Sequence, residues 1–173
     1  MGKILGSWSG MRKHLEQEML ADSLKGRVQY FCTSYPNMDD KKIFEIRIDG
    51  KTHKRFSWET VAFRNKGIEH QAAWNNFWKE KNSVPIEEKE KFDDEDFCNA
   101  LRIYRELPIE NSIFHINPLV RMFAVLDRRI GKRTLEKLTE TAQDQPEWLR
   151  TIYLLRLTAE NIIQGESYEL ERL

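Results

Sequence analysis

The spacing of apolar residues between positions 117 and 131 predicts a helix in the middle of the core. Apolar residues recur there at intervals of three and four, the spacing of one helix face, and others cover most of the remaining circumference. Asn117 is a favourable N-cap, Pro118 suits the first helical position, and Gly131 permits the left-handed conformation that ends many helices. We therefore predict a helix from Asn117 to Gly131 that is buried on nearly every side.

The pattern earlier in the chain predicts three strands. Residues 27–34 are rich in β-branched and aromatic side chains, residues 42–49 alternate between apolar and polar, and residues 51–58 form the returning strand. Asp49 and Gly50 tolerate the positive φ angles of a tight turn, so they predict a hairpin between the second and third strands.

Helical spacing predicts the remaining elements. A helix capped by Ser7 or Ser9 and running to about Ala21 precedes the strands, and a helix over residues 68–81 follows them. Besides the buried helix, the helical segments predicted after position 85 are residues 94–107, a short piece through Phe114, residues 133–142 and residues 146–163.

These elements predict an α+β fold. An N-terminal helix, a three-stranded antiparallel sheet and a helix are followed by an all-helical C-terminal half. Because residues 82–85 interrupt the pattern, we expect a small α-β-β-β-α unit over residues 1–85 and a helical unit over residues 86–173, packed together as one compact protein.

Composition gives no support to several classes of function. Lys plus Arg and Asp plus Glu number 28 each, so no overall charge directs the chain to nucleic acid or to a membrane. The two cysteines have no paired spacing, and no apolar run is long enough for a membrane span, so we expect a reduced, cytoplasmic protein. Charge is uneven, however, because residues 86–96 contain seven acids and two lysines.

Three sets of residues together form a recognisable pattern: Ser23-Leu-Lys-Gly-Arg27 with Tyr30-Phe31, then Asp49-Gly50-Lys51, and then Leu126-Asp127-Arg128-Arg129-Ile130-Gly131-Lys132-Arg133. In this pattern the chain resembles an uncharacterised bacterial family of small cytosolic proteins. The resemblance spans most of residues 7–163 and implies no activity, cofactor or functional residue.

A second, more local resemblance covers residues 8–81 and depends on the predicted element order and on Tyr30, Pro36, the Phe44–Lys51 stretch and Ala72-Ala73-Trp74. In these features the segment resembles the double-stranded-RNA-binding domain. The resemblance implies that the chain binds along an RNA duplex through phosphate and 2′-hydroxyl contacts.

Residues 128–133 concentrate four cations at a predicted helix end and turn: Arg128, Arg129, Lys132 and Arg133. Such a cluster can bind phosphate or a partner protein. The alternative is a solvated helix C-terminus, where cations complement the helix dipole. Both interpretations stay open at the level of sequence.

Asp127 lies on an otherwise apolar arc of the predicted buried helix, so its carboxylate requires a partner. We expect a structural ion pair rather than a catalytic acid, because no second carboxylate or nucleophile stands at an informative spacing. The candidate partners are Arg133, Arg150, Arg156 and the backbone amides that open the helix after Gly131.

No motif supports catalytic, cofactor-binding or metal-ligating residues. His14, His53, His70 and His115 are scattered, and the chain has no Gly-rich phosphate loop. Four aromatic residues have the spacing of core positions but can also offer a stacking surface: Trp58, Trp74, Phe77 and Trp78.

By elimination, the leading hypothesis from sequence is a non-enzymatic cytosolic protein–protein interaction module with an unidentified protein partner and no cofactor. It would use the acidic segment, the basic turn or the surface between the two units. The alternative is weak binding of double-stranded RNA or other nucleic acid through the hairpin and the Arg128–Arg133 turn.

Overall fold

The computed structural model of the protein describes residues 7–35, 38–57, 75, 79 and 83–164. Helix α1 spans Trp8–Lys13, and the hydroxyl of Ser7 caps it by accepting a hydrogen bond from the Gly10 amide at 3.2 Å. The chain continues as a π-helical turn over His14–Met19 and then becomes extended at Leu20. The predicted N-terminal helix is therefore present, but it changes its hydrogen-bonding pattern midway.

The sheet has three antiparallel strands in the order β1-β2-β3. They span Val28–Tyr35, Met38–Ile48 and Lys51–Phe56. Asp49 and Gly50 have φ angles of 51° and 79°, so the Asp-Gly hairpin is confirmed. The two strands begin to pair at the residues that flank the turn, where Ile48 lies opposite Lys51.

Five helices follow position 85 within the described residues. They are α2 (Asp94–Glu106), α3 (Ile109–Ser112), α4 (Pro118–Leu126), α5 (Lys132–Thr141) and α6 (Glu147–Ala159). Single 3₁₀ turns occupy Asp22–Leu24, Ile86–Glu88 and Ala142–Asp144. The fold is thus α+β, with an N-terminal helix, a three-stranded antiparallel sheet and then helices.

The apolar face of the sheet packs on α2 and α4. The ring of Phe97 on α2 stacks on Phe44 with centroids 4.3 Å apart, and Phe123 on α4 stacks on Tyr30 at 5.8 Å. Residues on both sides of position 85 belong to the same cluster of buried side chains. Burial of each such aromatic side chain contributes roughly 1.5 to 3 kcal/mol before the entropy of ordering is subtracted.

Helix α4 ends earlier than its sequence predicts. Eight of its nine residues are buried, as expected, but the helix stops at Leu126 rather than at Gly131. Asp127 is extended, and Gly131, with φ of −83°, begins α5 instead of ending α4. The predicted C-terminus of the buried helix was therefore wrong.

The N-terminal segment explains this early end. Leu20 and Asp127 form an antiparallel bridge, the Ala21 amide donates to the Leu126 carbonyl at 2.9 Å, and the Arg128 amide donates to the Met19 carbonyl at 2.8 Å. These bonds replace the ones that a further helical turn would make, so the backbone polar groups stay satisfied.

Part of the sequence interpretation lies outside the described residues. This holds for the aromatic set Trp58, Trp74, Phe77 and Trp78 and for most of the predicted helix over residues 68–81. Within that range Asn75 and Lys79 are described, and both are helical.

Candidate functional site

The connection between α3 and α4 exposes two large apolar side chains. Phe114 is 64% exposed and Ile116 is 61% exposed, and they are the exposed large hydrophobic residues in the described part of the chain. We call residues 114–116 the apolar loop. Two buried residues bound it, Ile113 before the loop and Asn117 after it.

Hydrogen bonds hold the apolar loop against the helices. Arg121 on α4 donates through Nη1 to the carbonyls of His115 at 2.7 Å and Ile116 at 2.9 Å, and through Nε to Gln145 Oε1 at 3.1 Å. The Asn117 amide donates to His115 Nδ1 at 3.0 Å. The backbone of the loop is therefore fixed while its two apolar side chains face solvent.

The start of α4 anchors the other end of the loop. Asn117 Oδ1 accepts a hydrogen bond from the Leu119 amide at 2.9 Å, and Pro118 occupies the first helical turn. Both features are the N-terminal signals that the sequence predicts. Asn117 therefore caps the buried helix and also fixes the point at which the apolar loop enters it.

Asp127, just after α4, is the centre of a polar cluster. Its side chain is fully buried, and its Oδ2 accepts a hydrogen bond from the Tyr104 hydroxyl. Arg129 supplies the charge partner, with Nη2 2.7 Å from Oδ2 and Nε 3.0 Å from Oδ1. The Arg129 amide also donates to Oδ1 at 2.7 Å.

These contacts replace the partners that sequence suggested for Asp127. Arg129 pairs with the carboxylate, whereas Arg156 reaches the backbone carbonyl of Asp127 through Nη1 at 2.9 Å. The sequence analysis missed Arg129 because in a continuous helix residues two apart lie on different faces. Once the chain becomes extended at Asp127, the two side chains can meet.

Ionisation of the surrounding groups follows from this cluster. Burial, followed by the negative charge of Asp127, raises the pKa of the Tyr104 hydroxyl well above its ordinary value. The hydrogen bond to Asp127 likewise raises the pKa of the Arg129 guanidinium. The tyrosine is therefore neutral and the arginine charged at neutral pH, so the hydroxyl and the guanidinium both donate to the carboxylate.

Arg156 on α6 completes the junction. It is 2% exposed and donates to the carbonyl of Val125 in α4 at 3.2 Å and to two carbonyls in the connection to α5, those of Asp127 at 2.9 Å and Ile130 at 3.1 Å. The Val125 carbonyl lies in the last turn of α4, where carbonyls lack partners within the helix, so the guanidinium satisfies it. The Asp127 carbonyl also accepts from the Ile130 amide at 3.2 Å.

The four cations of the basic turn have different surroundings. All four are exposed, but Arg129 is bound to Asp127, whereas Arg128, Lys132 and Arg133 are not. Arg128 and Lys132 line a groove of about 350 Å³ together with Ser23 and with the acidic side chains of Asp22 and Glu160. The structure therefore brings two of the predicted cations into one groove, and that groove also contains carboxylates.

The position of Lys132 and Arg133 differs from the expectation of a helix C-terminus. They open α5, which has no acidic residue in its first turn and no side-chain cap. Cations at this end oppose the helix dipole rather than complement it. The dipole-complementing interpretation therefore does not apply to these two residues.

The acidic segment over residues 86–96 is partly structural. Asp93 and Asp96 form a reciprocal capping box at the start of α2, where negative charge is favourable. Lys89 pairs with Asp96 at 3.4 Å. Three exposed glutamates of the segment, Glu87, Glu88 and Glu90, line a second groove of about 710 Å³ beside Trp148.

A further charged cluster lies on the sheet. Glu45 is buried, and its carboxylate accepts hydrogen bonds from Arg47 Nε at 3.0 Å, Thr52 Oγ1 at 2.9 Å and Arg55 Nη2 at 2.9 Å. Burial by itself would raise the pKa of Glu45, but these hydrogen bonds hold it below its ordinary value. Arg47 also stacks over the Phe31 ring at 3.8 Å, so this cluster ties all three strands together.

The described residues contain no group of three or more His, Cys, Asp or Glu side chains that could hold a metal ion. Burial raises the pKa of the Cys98 thiol to about 12, which disfavours the reactive thiolate. No helix in the described part of the chain has the length and apolar character needed to cross a membrane.

Sequence reasoning did not identify the apolar loop as a candidate site. Its apolar residues were assigned to the short helical piece or left between elements. One signal was available, because Phe114 and Ile116 flank a histidine directly before the Asn-Pro helix start and so belong to neither helix face. Their exposure nevertheless depends on the tertiary packing around Ile113.

The order of its helices and strands defines this molecule as an α+β protein. The chain belongs to the SF0329 protein family, whose model matches residues 7–157. The match covers α1, the sheet and nearly all of the helices described above. No curated protein and no solved structure matches the chain.

Proposed function

We propose that this protein is a protein–protein interaction module and that the apolar loop is its contact site. The observation that carries the proposal is the exposure of Phe114 and Ile116, at 64% and 61%, on a backbone fixed by Arg121. Aromatic anchors that enter a pocket on a partner account for much of the binding free energy at many interfaces.

The fixed backbone strengthens this argument. Ordering a flexible loop on binding opposes association, whereas a loop already held in place avoids most of that loss. Arg121 holds the loop through two carbonyls and is itself positioned by Gln145. Phe114 and Ile116, on either side of His115, stay exposed in the described fold, and a partner surface would bury both.

Photocrosslinking tests the proposal directly. A photoreactive phenylalanine analogue in place of Phe114 should give adducts in cells of the source organism. The same analogue in place of Glu140, which is exposed on α5, is the matched control and should not give them. The captured protein, once purified, should bind the wild-type chain, and Phe114→Ala with Ile116→Ala should weaken that binding at least about tenfold.

Two outcomes would count against the proposal. One is the absence of adducts specific to position 114. The other is a captured protein whose affinity for the purified chain is unchanged in the double alanine variant. Circular dichroism and thermal unfolding of the variants would separate lost binding from lost folding.

A second candidate function is phosphate contact by the basic turn, as in binding to double-stranded RNA. The observation that favours it is the start of α5, where Lys132 and Arg133 lie beside backbone amides that no side chain caps. Helix N-termini bind anions through such amides. The carboxylates of Asp22 and Glu160 in the adjoining groove oppose phosphate, so we expect weak affinity.

Titration of a labelled RNA duplex at several salt concentrations tests the second candidate. Three exposed cations give at most about three phosphate contacts and therefore a shallow dependence of affinity on salt. Submicromolar affinity at physiological salt that disappears on replacing Arg128, Lys132 and Arg133 by alanine would place this function ahead of protein binding. Replacement of the exposed Lys137, farther along α5, is the control.

A further inference from the structure

We infer that the groove beside the start of α5 binds a small organic phosphate whose body carries hydroxyl groups. We call it the α5 groove. It shares no lining residue with the apolar loop, and its ligand is far smaller than the RNA duplex considered above. Its volume of about 350 Å³ lies at the lower end of the range for small-molecule sites, which suits a single monophosphate.

Two exposed cations of the α5 groove are available to a phosphate group. Arg128 and Lys132 line the groove, and neither forms an ion pair with another described residue. Gly131 also lines it and begins α5, whose first-turn amides have no side-chain cap. Cationic side chains and the amides at a helix start are groups that bind phosphate through charge-assisted hydrogen bonds.

The base of the groove provides a third cation and a buried donor. Arg156 lines the groove and is 2% exposed. Its Nε–H makes no hydrogen bond within the described residues, although Nε lies 3.2 Å from Glu160 Oε1. A buried donor without an acceptor is uncommon in folded proteins, and a ligand oxygen at this base would satisfy it. This donor indicates a ligand independently of the exposed cations.

The two carboxylates of the groove have partners of their own. Asp22 pairs with Lys25 at 2.7 Å. Glu160 pairs with Arg156 and also accepts from the Ser23 hydroxyl at 2.7 Å. The charge that remains unpaired is therefore positive and comes from the two exposed cations. It attracts a single phosphate, whereas the successive phosphates of an RNA strand would also approach both carboxylates.

The same carboxylates favour hydroxyl groups on the body of the ligand. Carboxylate oxygens are acceptors, so they bind hydroxyl groups and repel a second phosphate. The Asp22 side chain is 84% exposed and can make such a bond. Apolar residues line another part of the groove and would contact the carbon atoms of the ligand: Ile130, Leu135 and Ile162. A sugar monophosphate combines these features.

Titration of the full chain with ribose 5-phosphate, followed by NMR of the backbone amides, tests the inference. The amides of Lys132, Arg133 and Thr134 should shift and saturate, with a dissociation constant on the order of 0.1 to 1 mM. Inorganic phosphate lacks the sugar and should bind at least about tenfold more weakly. Ribose lacks the phosphate and should not saturate these shifts.

Variants assign the contacts within the groove. Arg128→Ala with Lys132→Ala should weaken the binding of ribose 5-phosphate at least about tenfold, because charge-assisted hydrogen bonds are lost. Asp22→Ala should strengthen the binding of inorganic phosphate but reduce the preference for ribose 5-phosphate by about threefold or more. All three side chains are exposed, so thermal unfolding should match the wild type.

The matched control is Arg105→Ala with Lys137→Ala. It removes two exposed cations that do not line the groove, so the dissociation constant of ribose 5-phosphate should stay within about twofold. The inference is overturned by the absence of saturation up to about 10 mM ribose 5-phosphate, or by unchanged binding in the Arg128 and Lys132 variant.

Two further results would also overturn the inference. Inorganic phosphate that binds as tightly as ribose 5-phosphate would show an electrostatic contact without selection of the sugar. RNA binding without saturable binding of ribose 5-phosphate would favour the second candidate function instead. The apolar loop takes no part in these measurements, so the proposed protein contact is decided by its own photocrosslinking experiment.

Discussion

Arg129 folds back onto Asp127, two residues earlier in the chain, and binds it through two nitrogens, with Nη2 2.7 Å from Oδ2 and Nε 3.0 Å from Oδ1. The carboxylate is fully buried while the guanidinium is 44% exposed. The pair therefore joins the interior to the surface at the point where α4 ends, next to the bridge between Asp127 and Leu20.

Removal of the carboxylate should destabilise the fold. Asp127→Ala leaves the Tyr104 hydroxyl and the Arg129 amide without their acceptor, and we expect a loss of about 3 kcal/mol in the free energy of unfolding. Asp127→Asn keeps an oxygen that can accept from the amide and should lose about 1 to 2 kcal/mol. Urea unfolding measures both values, and a change below about 0.5 kcal/mol for Asp127→Ala would contradict the structural role.

Neighbouring arginines provide a matched comparison. Arg129→Ala leaves a buried carboxylate with only Tyr104 and an amide as partners, so we expect a loss of about 1 to 2 kcal/mol, a value reduced because water reaches the guanidinium. Arg128→Ala, at an exposed position one residue earlier, should change the free energy of unfolding by less than about 0.5 kcal/mol. Equal effects of the two variants in urea unfolding would mean that the ion pair contributes nothing.

The buried guanidinium of Arg156 should not be replaceable by lysine. Its fork binds the carbonyls of Val125, Asp127 and Ile130 together, and a lysine ammonium cannot reproduce that planar arrangement. We expect Arg156→Lys to lose about 2 to 4 kcal/mol, because a charge stays buried while carbonyls lose their donors. Arg105→Lys, exposed on α2, is the control and should be neutral in the same measurement.

Glu45 should make the free energy of unfolding depend on pH under acidic conditions. Its pKa in the folded protein is lowered from the ordinary 4.5, so the unfolded chain takes up the proton more readily. The stabilisation is complete above pH 4.5 and is lost as the pH falls through the lower folded-state pKa.

Glu45→Gln should therefore flatten the fall in the free energy of unfolding below pH 4.5, measured by urea unfolding at several pH values. Glu136→Gln, exposed on α5, serves as the reference and should keep the wild-type slope. An unaltered slope in the Glu45 variant would assign the acid sensitivity to other carboxylates.

The two predicted units should unfold together. Phe44 stacks on Phe97 and Tyr30 stacks on Phe123, so separating residues 1–85 from the rest exposes the apolar face of the sheet. We expect residues 1–85 expressed alone to lack the sharp thermal transition of the full chain. A transition at the same temperature in the fragment would show that the sheet and α1 fold independently.

Local sequence signals predicted most elements of the fold because they act over a few residues. Asn117 and Pro118 begin α4, Asp49 and Gly50 turn the hairpin, and each does so through its own backbone preferences and near neighbours. The strands were located to within a few residues, although β2 begins at Met38 rather than at residue 42. That extension depends on pairing with Tyr35, which no local pattern encodes.

The candidate sites were less accessible to sequence reasoning. The need of Asp127 for a partner followed from periodicity, but the choice of Arg129 depended on the chain leaving the helix at that residue. The exposure of Phe114 and Ile116 likewise contradicts what apolar residues usually do. Both features arise where distant segments meet.

The sequence by itself determined the helix starts, the hairpin, the α+β class and the buried character of α4, since caps, turn residues and apolar spacing act locally. Tertiary structure decided where α4 ends. Met19 and Ala21, on either side of Leu20 in its bridge to Asp127, supply backbone hydrogen bonds that another helical turn would have made, from more than 100 residues away in the chain. Contacts across that separation carry no periodic signal, so the junction at Asp127 appears only when the chain is folded.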